Sequence, residues 1–242
     1  MTSPPPKLRA IITGASSGIG KATALAFASK GINLALVGRS LDKLETVAAT
    51  AQSMGVEASY YQADLSYVES VKDSFEAIAS KLGHIDILVN IAGLGYTNML
   101  SETPLSDWEK VLQLNLTSVF QCILGVLPTM RRQGQGTIIN VASIAGSNPF
   151  PGWGAYSVSK AGLIALSKVL AAEERGNGIR VMTISPGAVN TPIWDAETVQ
   201  ADFNRSAMLT PEIIAQSILH AALLPAIAVI EEMNIMPSAG VL

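Results

Sequence analysis

Hydrophobic positions along the chain switch repeatedly between two periods. Short, nearly continuous apolar runs recur at Leu8–Thr13, Asn33–Val37, Glu57–Gln62, Ile85–Val89, Thr137–Ala142, Ile179–Ile184 and Met233–Met236. Runs of this length bounded by turn residues predict strands covered on both faces. Between them the apolar residues fall at helical spacing. Ala22, Leu25, Ala26 and Ser29 predict a helix over Ile19–Lys30 that stops at Gly31, and a second covers Leu41–Met54 and stops at Gly55. Further helices are predicted over Tyr67–Leu82, Ser106–Arg132 and Ala155–Arg175, and from Thr210-Pro211 onward. In the longest of these, Ser106 is the expected N-cap, with Glu109 three residues on completing a capping box.

Strands alternating with helices imply parallel pairing, right-handed crossovers and helices on both sheet faces. The expectation is α/β: a single doubly wound domain over residues 1–242, with a seven-stranded parallel sheet. Residues 1–7, with three consecutive prolines, read as an extended tail. No Gly/Ser-rich or charge-rich linker divides the chain, and no repeat of solenoid length is present.

Composition narrows the function. Hydrophobic residues make up 49% and charged residues 14%, enough for a large core. Sixteen Lys and Arg against nineteen Asp and Glu argue against a basic nucleic-acid module. Cys122 has no cysteine to pair with, and two histidines with one cysteine cannot build a Cys/His zinc cage. Met1–Arg9 lacks the apolar run of a signal peptide, and Ala221–Ile230 is interrupted by Pro225 and too short to span a bilayer. A cytoplasmic enzyme-sized domain with no metal and no membrane partner is the expectation.

In such sheets ligands bind beyond the carboxyl ends of the strands. Those ends are Thr13–Gly20, Gly38-Arg39, Asp64, Asn90–Gly93, Ser143 and Pro186–Thr191. Gly14, Gly18 and Gly20 lie between the first strand and helix, where glycines let backbone N–H groups approach a pyrophosphate. Their spacing, G-x-x-x-G-x-G, differs from the G-x-G-x-x-G fingerprint. The same residues fit a hydrolase G-x-S-x-G elbow, with Ser16 as nucleophile, His220 as base and Asp195 or Asp202 as the acid. A P-loop reading fails at both ends, since Ala15 replaces its first glycine and Ala22 follows Gly20-Lys21.

Thr13-Gly14-Ala15-Ser16-Ser17-Gly18-Ile19-Gly20 is followed by Asn90-Ile91-Ala92-Gly93, Ser143, Tyr156-Ser157-Val158-Ser159-Lys160 and Pro186-Gly187. In that order and at those separations the chain resembles a short-chain dehydrogenase/reductase, from Leu8 to Pro237. The resemblance implies a Rossmann-type fold and hydride transfer between a nicotinamide cofactor and a carbonyl or hydroxyl group. Tyr156 and Lys160, four apart on a predicted helix, share a face. A free tyrosine has a pKa of about 10, and a nearby Lys⁺, like an oxidised nicotinamide, favours the phenolate. Tyr156 is thereby implied as the acid in reduction and the base in reverse. Lys160 also holds ribose hydroxyls, Ser143 orients the substrate oxygen, and Asn115 matches the position that holds a proton-relay water.

The resemblance implies cofactor contacts from Gly14, Ser16, Ser17, Gly18, Ile19 and Gly20, and from Asp64-Leu65 to the adenine. Asn90, Ala92 and Gly93 lie where backbone approaches the adenine ribose, and Pro186, Gly187, Val189 and Thr191 surround the nicotinamide. Asp64 as a helix cap, and Asn90–Gly93 as a purely structural turn, remain open alternatives. Gly38 stands where NAD-preferring relatives carry an acid, and Arg39 with Ser40 follows, which points to NADP(H). Residues 192–210 are implied as a substrate lid with apolar residues Ile193, Trp194, Phe203 and Met208. Phe150 and Trp153 are candidates for the substrate mouth, for surface packing or for a subunit contact. Cys122, among apolar residues, reads as a buried small hydrophobe.

Two branches of the family compete. Ketoacyl-(acyl-carrier-protein) reductases are the most obvious match, but this chain lacks their Gly-rich tail, and Asn177 replaces an arginine of the carrier-docking patch to which Arg131 and Arg132 would belong. The ending Glu231–Pro237 and the segment from Leu209 to Ala226 are more similar to enzymes acting on small 3-oxo and 3-hydroxy acids. A catalytically idle nucleotide-binding protein is the alternative from another class. Family resemblance implies a homo-oligomer, a tetramer or a dimer, built through the two longest helices.

Overall fold

In the computed structural model, which describes residues 7–201, 204–238 and 240, the apolar runs become β1 (Arg9–Thr13), β2 (Asn33–Gly38), β3 (Ala58–Gln62), β4 (Ile87–Asn90), β5 (Gly136–Val141), β6 (Ile179–Pro186) and β7 (Glu232–Ile235). All pair in parallel, in the order β3-β2-β1-β4-β5-β6-β7. The helices are α1 (Gly18–Ala28), α2 (Leu41–Ser53), α3 (Val68–Leu82), α4 (Leu105–Leu112), α5 (Ser118–Gln133), α6 (Gly154–Glu174) and α7 (Pro211–Ala222). The doubly wound sheet expected from the sequence is therefore the fold. The prolines of the expected tail lie outside the described residues; Lys7 donates from Nζ to the Gly55 carbonyl at 2.9 Å.

The two-residue period of a strand sorts its side chains into two cores. Ala10, Ile12, Leu34, Leu36, Ile87 and Val89 pack on one face with α1, α2 and α7. Ile11, Ala35, Val37 and Leu88 pack on the other with α3, α5 and α6. Phe27 and Phe75, both fully buried, anchor the two sides and contribute about 1.5–3 kcal/mol each.

The predicted helix Ser106–Arg132 is corrected in two respects. It starts after Pro104, whose extended backbone is the N-cap, so Ser106 falls inside the first turn and the Ser106–Glu109 capping box does not form. Its middle, Gln113–Thr117, is a π-helical turn joining α4 to α5. One extra residue per turn there is the kind of local widening that frequently marks functional sites, and Asn115 sits at its centre. The run Leu105–Gln133 is long and apolar enough to cross a membrane; here α5 packs against α3 and β5.

Because β1 lies between β2 and β4, the chain must cross the sheet after β3 to lay down β4. The crevice created at that reversal lies at the carboxyl ends of β1 and β4, where every candidate motif converges. A buried polar rail stiffens the sheet beneath it: Asn90 donates to Asn140 at 2.8 Å, and Asn140 donates to Ser167 at 2.9 Å.

Candidate active site

The glycine loop is locked onto the end of β4. Thr13, 1% exposed, accepts from the backbone N–H groups of Ile91 and Ala92 at 2.9 and 3.1 Å. Gly14 has a φ of +65°, and a Cβ there would lie 3.0 Å from Ala92 backbone atoms, so only glycine fits. Gly20 packs on the Gly14 carbonyl. α1 begins at Gly18 with Ser17 as N-cap, and the Ser17 side chain makes no cap bond. The first N–H groups of a helix lack intrahelical partners, so Ile19 and its neighbours with the Ser16 and Ser17 hydroxyls form a cradle suited to a phosphate.

At the next strand end, the buried Gly38 lacks a side chain beside Ser16, whose Oγ would lie 3.6 Å from a Cβ built on it. Arg39 is exposed, and Ser40 is the N-cap of α2 with no side-chain cap bond. Asp64 accepts from the Ser66 N–H and hydroxyl, at 3.0 and 2.8 Å, both on Oδ1. Burial raises this carboxyl, but the Ser66 bonds and the charge of Arg39 outweigh it and hold Asp64 below the usual range. Asp64 shapes the turn before α3 rather than capping that helix, whose N-cap is Tyr67. Leu65 is buried beneath it. The Asn90 side chain is engaged with Asn140 inside the sheet, so its contribution to a ligand is through the backbone it steadies.

Three polar side chains meet at the carboxyl end of β5. Tyr156 lies in the first turn of α6, and Lys160 one turn later is 5% exposed. Lys160 donates from Nζ to the Val141 carbonyl at 2.9 Å; burial pushes its ammonium down to about 8. Burial pushes the half-buried Tyr156 phenol up, while a hydrogen bond with the Ser143 side chain pulls it back. Lys160 Nζ sits 5.8 Å from the Tyr156 ring centroid while it is hydrogen-bonded to Val141 O. Ser143 also accepts from the Ala145 N–H at 3.2 Å.

Asn115, fully buried, clamps the neighbouring loop. It accepts from the Leu94 N–H at 2.8 Å, donates to the Leu94 carbonyl at 3.0 Å and donates to Ser159 at 3.1 Å. Gly93 is required beside it, since a Cβ there would lie 3.0 Å from Asn115 Oδ1. Thr13 and Ser159 are supporting residues that sequence reasoning passed over; both were visible inside the motifs, but a hydroxyl has no spacing signal of its own.

Ser143, Tyr156, Lys160, Gly93 and the segment from Pro186 to Thr191 open onto one cavity of about 290 Å³. Gly187 is fixed by its N–H bond to the Ile235 carbonyl at 2.8 Å. Val189 bridges to Leu209, and Thr191 leads into the turn Pro192–Asp195. Phe150 and Trp153 line the cavity, as do Ile193 and Trp194 from the segment expected to be a lid. That segment is tied down: Thr198 donates to Gly95 O at 2.7 Å, and the Thr97 N–H to Thr198 O at 2.9 Å. Arg205 donates to Asn190 at 2.9 Å and Thr191 O at 3.0 Å and pairs with Asp195. Phe203 and Asp202 lie outside the described residues. Of the partners named for the hydrolase reading, Asp195 is paired with Arg205 and His220 is exposed on α7.

Other expectations resolve simply. Cys122 is buried, and burial pushes its thiol up. Arg131 is paired with the buried Glu174, which also accepts from Asn177 at 2.8 Å; the helix ends α5 and α6 are joined where a docking patch was considered.

Comparisons place this geometry. The short chain dehydrogenase family model matches residues 9–202. A 3-oxoacyl-[acyl-carrier-protein] reductase, FabG, from Staphylococcus epidermidis is 39% identical over 188 residues, 77% of each chain. Glycine betaine reductase ATRR from Emericella nidulans is 34% identical over 234 residues; these are 94% of this chain but 18% of that much longer protein. Among solved structures, an alcohol dehydrogenase from Thermococcus sibiricus complexed with 5-hydroxy-NADP is 31% identical and superposes with a TM-score of 0.87, covering 96% of this chain and 97% of that one. A variant of actinorhodin polyketide ketoreductase with NADPH gives 0.86 at 29% identity, covering 97% of both chains. With most of its length matched and its motifs gathered on one crevice, the chain belongs to the short-chain dehydrogenase family of oxidoreductases.

Proposed function

We propose that the protein is an NADP(H)-dependent oxidoreductase that interconverts a ketone or 3-oxo acid with the corresponding alcohol or 3-hydroxy acid. The observation that carries this reading is the convergence of Ser143, Tyr156 and Lys160 on one cavity at the sheet's topological switch. The residues fit a dinucleotide: a glycine loop pressed on β4, an α1 N-terminus for the pyrophosphate, and a side-chain-free Gly38 next to Arg39 and Ser40. A 2′-phosphate is favoured there because Gly38 removes the competing carboxylate and a guanidinium can bind it bidentately. The structural relatives bound to NADP or its analogue support that choice.

When bound, the nicotinamide supplies or accepts the hydride. Tyr156 gives its proton to the carbonyl oxygen in reduction and takes it back in oxidation. Ser143 holds the same oxygen by a hydrogen bond and keeps the phenol from rising further. Lys160 has three N–H donors; one is engaged with Val141 O, leaving two for ribose hydroxyls. Asn115 holds the 93–95 loop in place and, in its widened turn, suits the relay of the proton to Tyr156.

A second reading, reduction of carrier-bound 3-oxoacyl thioesters, draws on the likeness to the Staphylococcus reductase. Arg131, engaged with Glu174, weighs against it. We also propose a cytoplasmic homo-oligomer; exposed Phe120, Val158 and Val169 on α5 and α6 support the oligomer alone. The test is NADPH oxidation across a panel of ketones, 3-oxo acids and 3-oxoacyl thioesters. Turnover lost in Tyr156→Phe supports the reading; NADPH binding without turnover of any carbonyl would favour the idle nucleotide-binding alternative.

A further inference from the structure

We propose that the substrate is a compact, uncharged carbonyl compound or secondary alcohol bearing an apolar group, and that Trp153 and Trp194 select it. The inference rests on the hydride-transfer reading above and narrows it. In the reduction, the carbonyl carbon gains a hydride from NADPH and its oxygen gains the Tyr156 proton, giving the secondary alcohol and NADP⁺.

The wall beside the reacting groups is aromatic and fixed from two directions. Trp153 is the N-cap of α6, so its ring is set by the same helix start that sets Tyr156; the ring centroids are 5.4 Å apart, edge to face. Its backbone is held by a bridge to Asn98. Trp194 comes from the opposite side of the cavity and meets Trp153 at 5.7 Å. The Trp194 indole N–H donates to Val189 O at 2.7 Å, so its polar edge is satisfied by the protein. Phe150 and Ile193 extend the same surface.

Charge is missing from this wall. Among the described residues that line the cavity, Lys160 is the only cation and no carboxylate is present. Lys160 is bonded to Val141 O and, in the reading above, serves the ribose. Arg205, the nearest cation in the segment covering the cavity, is held by Asp195, Asn190 and Thr191. Among the described lining residues a substrate carboxylate would therefore meet hydroxyls but no uncommitted cation, and burying it without a charge partner is costly. A quaternary ammonium is held best by several aromatic faces turned towards it, whereas Trp153 is in edge-to-face contact with both Tyr156 and Trp194. The volume, about 290 Å³, lies at the lower end of ligand sites and must also admit the nicotinamide. A compact apolar group fits what remains.

The experiment uses the full chain with NADPH, acetophenone as the aromatic probe, and two comparisons: acetoacetate against its methyl ester, and a trimethylammonium ketone against its tert-butyl isostere. The uncharged member of each pair should have the higher kcat/KM by about tenfold or more, the scale on which apolar pockets discriminate. Trp194→Ala should raise the KM for acetophenone by about tenfold, with a smaller change in kcat, and Trp194→Phe should recover most of it. Calorimetric binding of acetophenone to the NADP⁺ complex should weaken in parallel. Equal or faster reduction of acetoacetate or of the ammonium ketone, or a Trp194→Ala variant with unaltered acetophenone binding, would overturn the inference and leave the oxidoreductase reading standing. Failure to reduce any carbonyl would instead defeat that reading itself.

Discussion

The Lys160 ammonium sits 5.8 Å from the centre of the Tyr156 ring but directs a hydrogen bond away from it, to Val141 O at 2.9 Å. Holding the ammonium there comes at a cost to the fold. Burial lowers Lys160 from 10.5 to about 8, so in the cofactor-free protein the buried ammonium is destabilising wherever both folded and unfolded chains are protonated. The penalty is complete below pH about 8 and fades as pH rises towards 10.5, because in that window the unfolded chain binds more protons. A shift of this size corresponds to roughly 3 kcal/mol, partly offset by about 1 kcal/mol for the bond to Val141. Lys160→Met should therefore stabilise the cofactor-free protein at pH 7 while abolishing most turnover. Urea unfolding at pH 7 and pH 10 checks this: the gain should shrink at the higher pH, and a loss of stability at pH 7 would contradict it.

Tyr156 and Ser143 give a separable pair of kinetic effects. Burial raises the phenol and the Ser143 bond opposes that rise, so Ser143→Ala should move the alkaline limb of alcohol oxidation to higher pH as well as slow it. Tyr156→Phe removes the proton donor with the ring still packed on Trp153, and turnover should fall by about 10²–10⁴-fold with NADPH affinity retained. A Ser143→Ala profile unshifted in pH would show that this bond does not tune the phenol.

The cofactor preference can be moved at one position. Gly38 is buried, and a new Cβ there would make ordinary van der Waals contact, nearest at 3.4 Å with the Leu44 side chain. A Cβ is tolerated without a clash, so Gly38→Asp should bring a carboxylate beside the proposed 2′-phosphate site and raise the KM for NADPH at least tenfold while improving that for NADH. Arg39→Ala should weaken NADPH alone. Equal use of both cofactors by the unmutated protein would remove the basis for both expectations.

The central strands were readable because they are buried on both faces and therefore nearly all apolar, as in β2, where all six residues are buried; the edge strands β3 and β7 are only partly covered, contrary to the expectation of strands covered on both faces. Tyr156 and Lys160 were legible because helix geometry turns a four-residue spacing into proximity. The π-helical turn around Asn115 was not, since α4 and α5 continue the same apolar stripe across it and only the backbone registers the extra residue. The Ser106 capping box failed for a related reason: Pro104 supplies the extended backbone that starts the helix, two residues before the hydroxyl. The direction of the Lys160 side chain was equally hidden, because spacing brings two residues together without deciding where an ammonium points.

The crossing of α5 over α3 provides a test of the core beneath the site. A Cβ on Gly125 would lie 2.4 Å from Phe75 Cβ, 2.8 Å from the Lys72 carbonyl oxygen and 3.2 Å from the Glu76 nitrogen. Two opposing effects follow from Gly125→Ala. Alanine is favoured over glycine inside a helix by about 1 kcal/mol, whereas inserting a methyl group into a packed core typically costs about 1–3 kcal/mol. Because two of the three contacts are with α3 backbone, which cannot turn aside as a side-chain tip can, the steric term should win. The expected outcome is a net loss of about 1–2 kcal/mol, or a Tm lower by roughly 2–8 °C at this chain length. Gly176→Ala is the control, since nothing lies within 4 Å of a Cβ at that position, and surface changes of this kind usually stay within about 0.5 kcal/mol. Displacement of α5 also reaches the site, because α5 continues directly from the turn that holds Asn115; turnover of Gly125→Ala should fall with its stability. A Tm equal to or above that of the unmutated protein would mean that the two helices do not approach as closely in solution as their shared glycine contact requires.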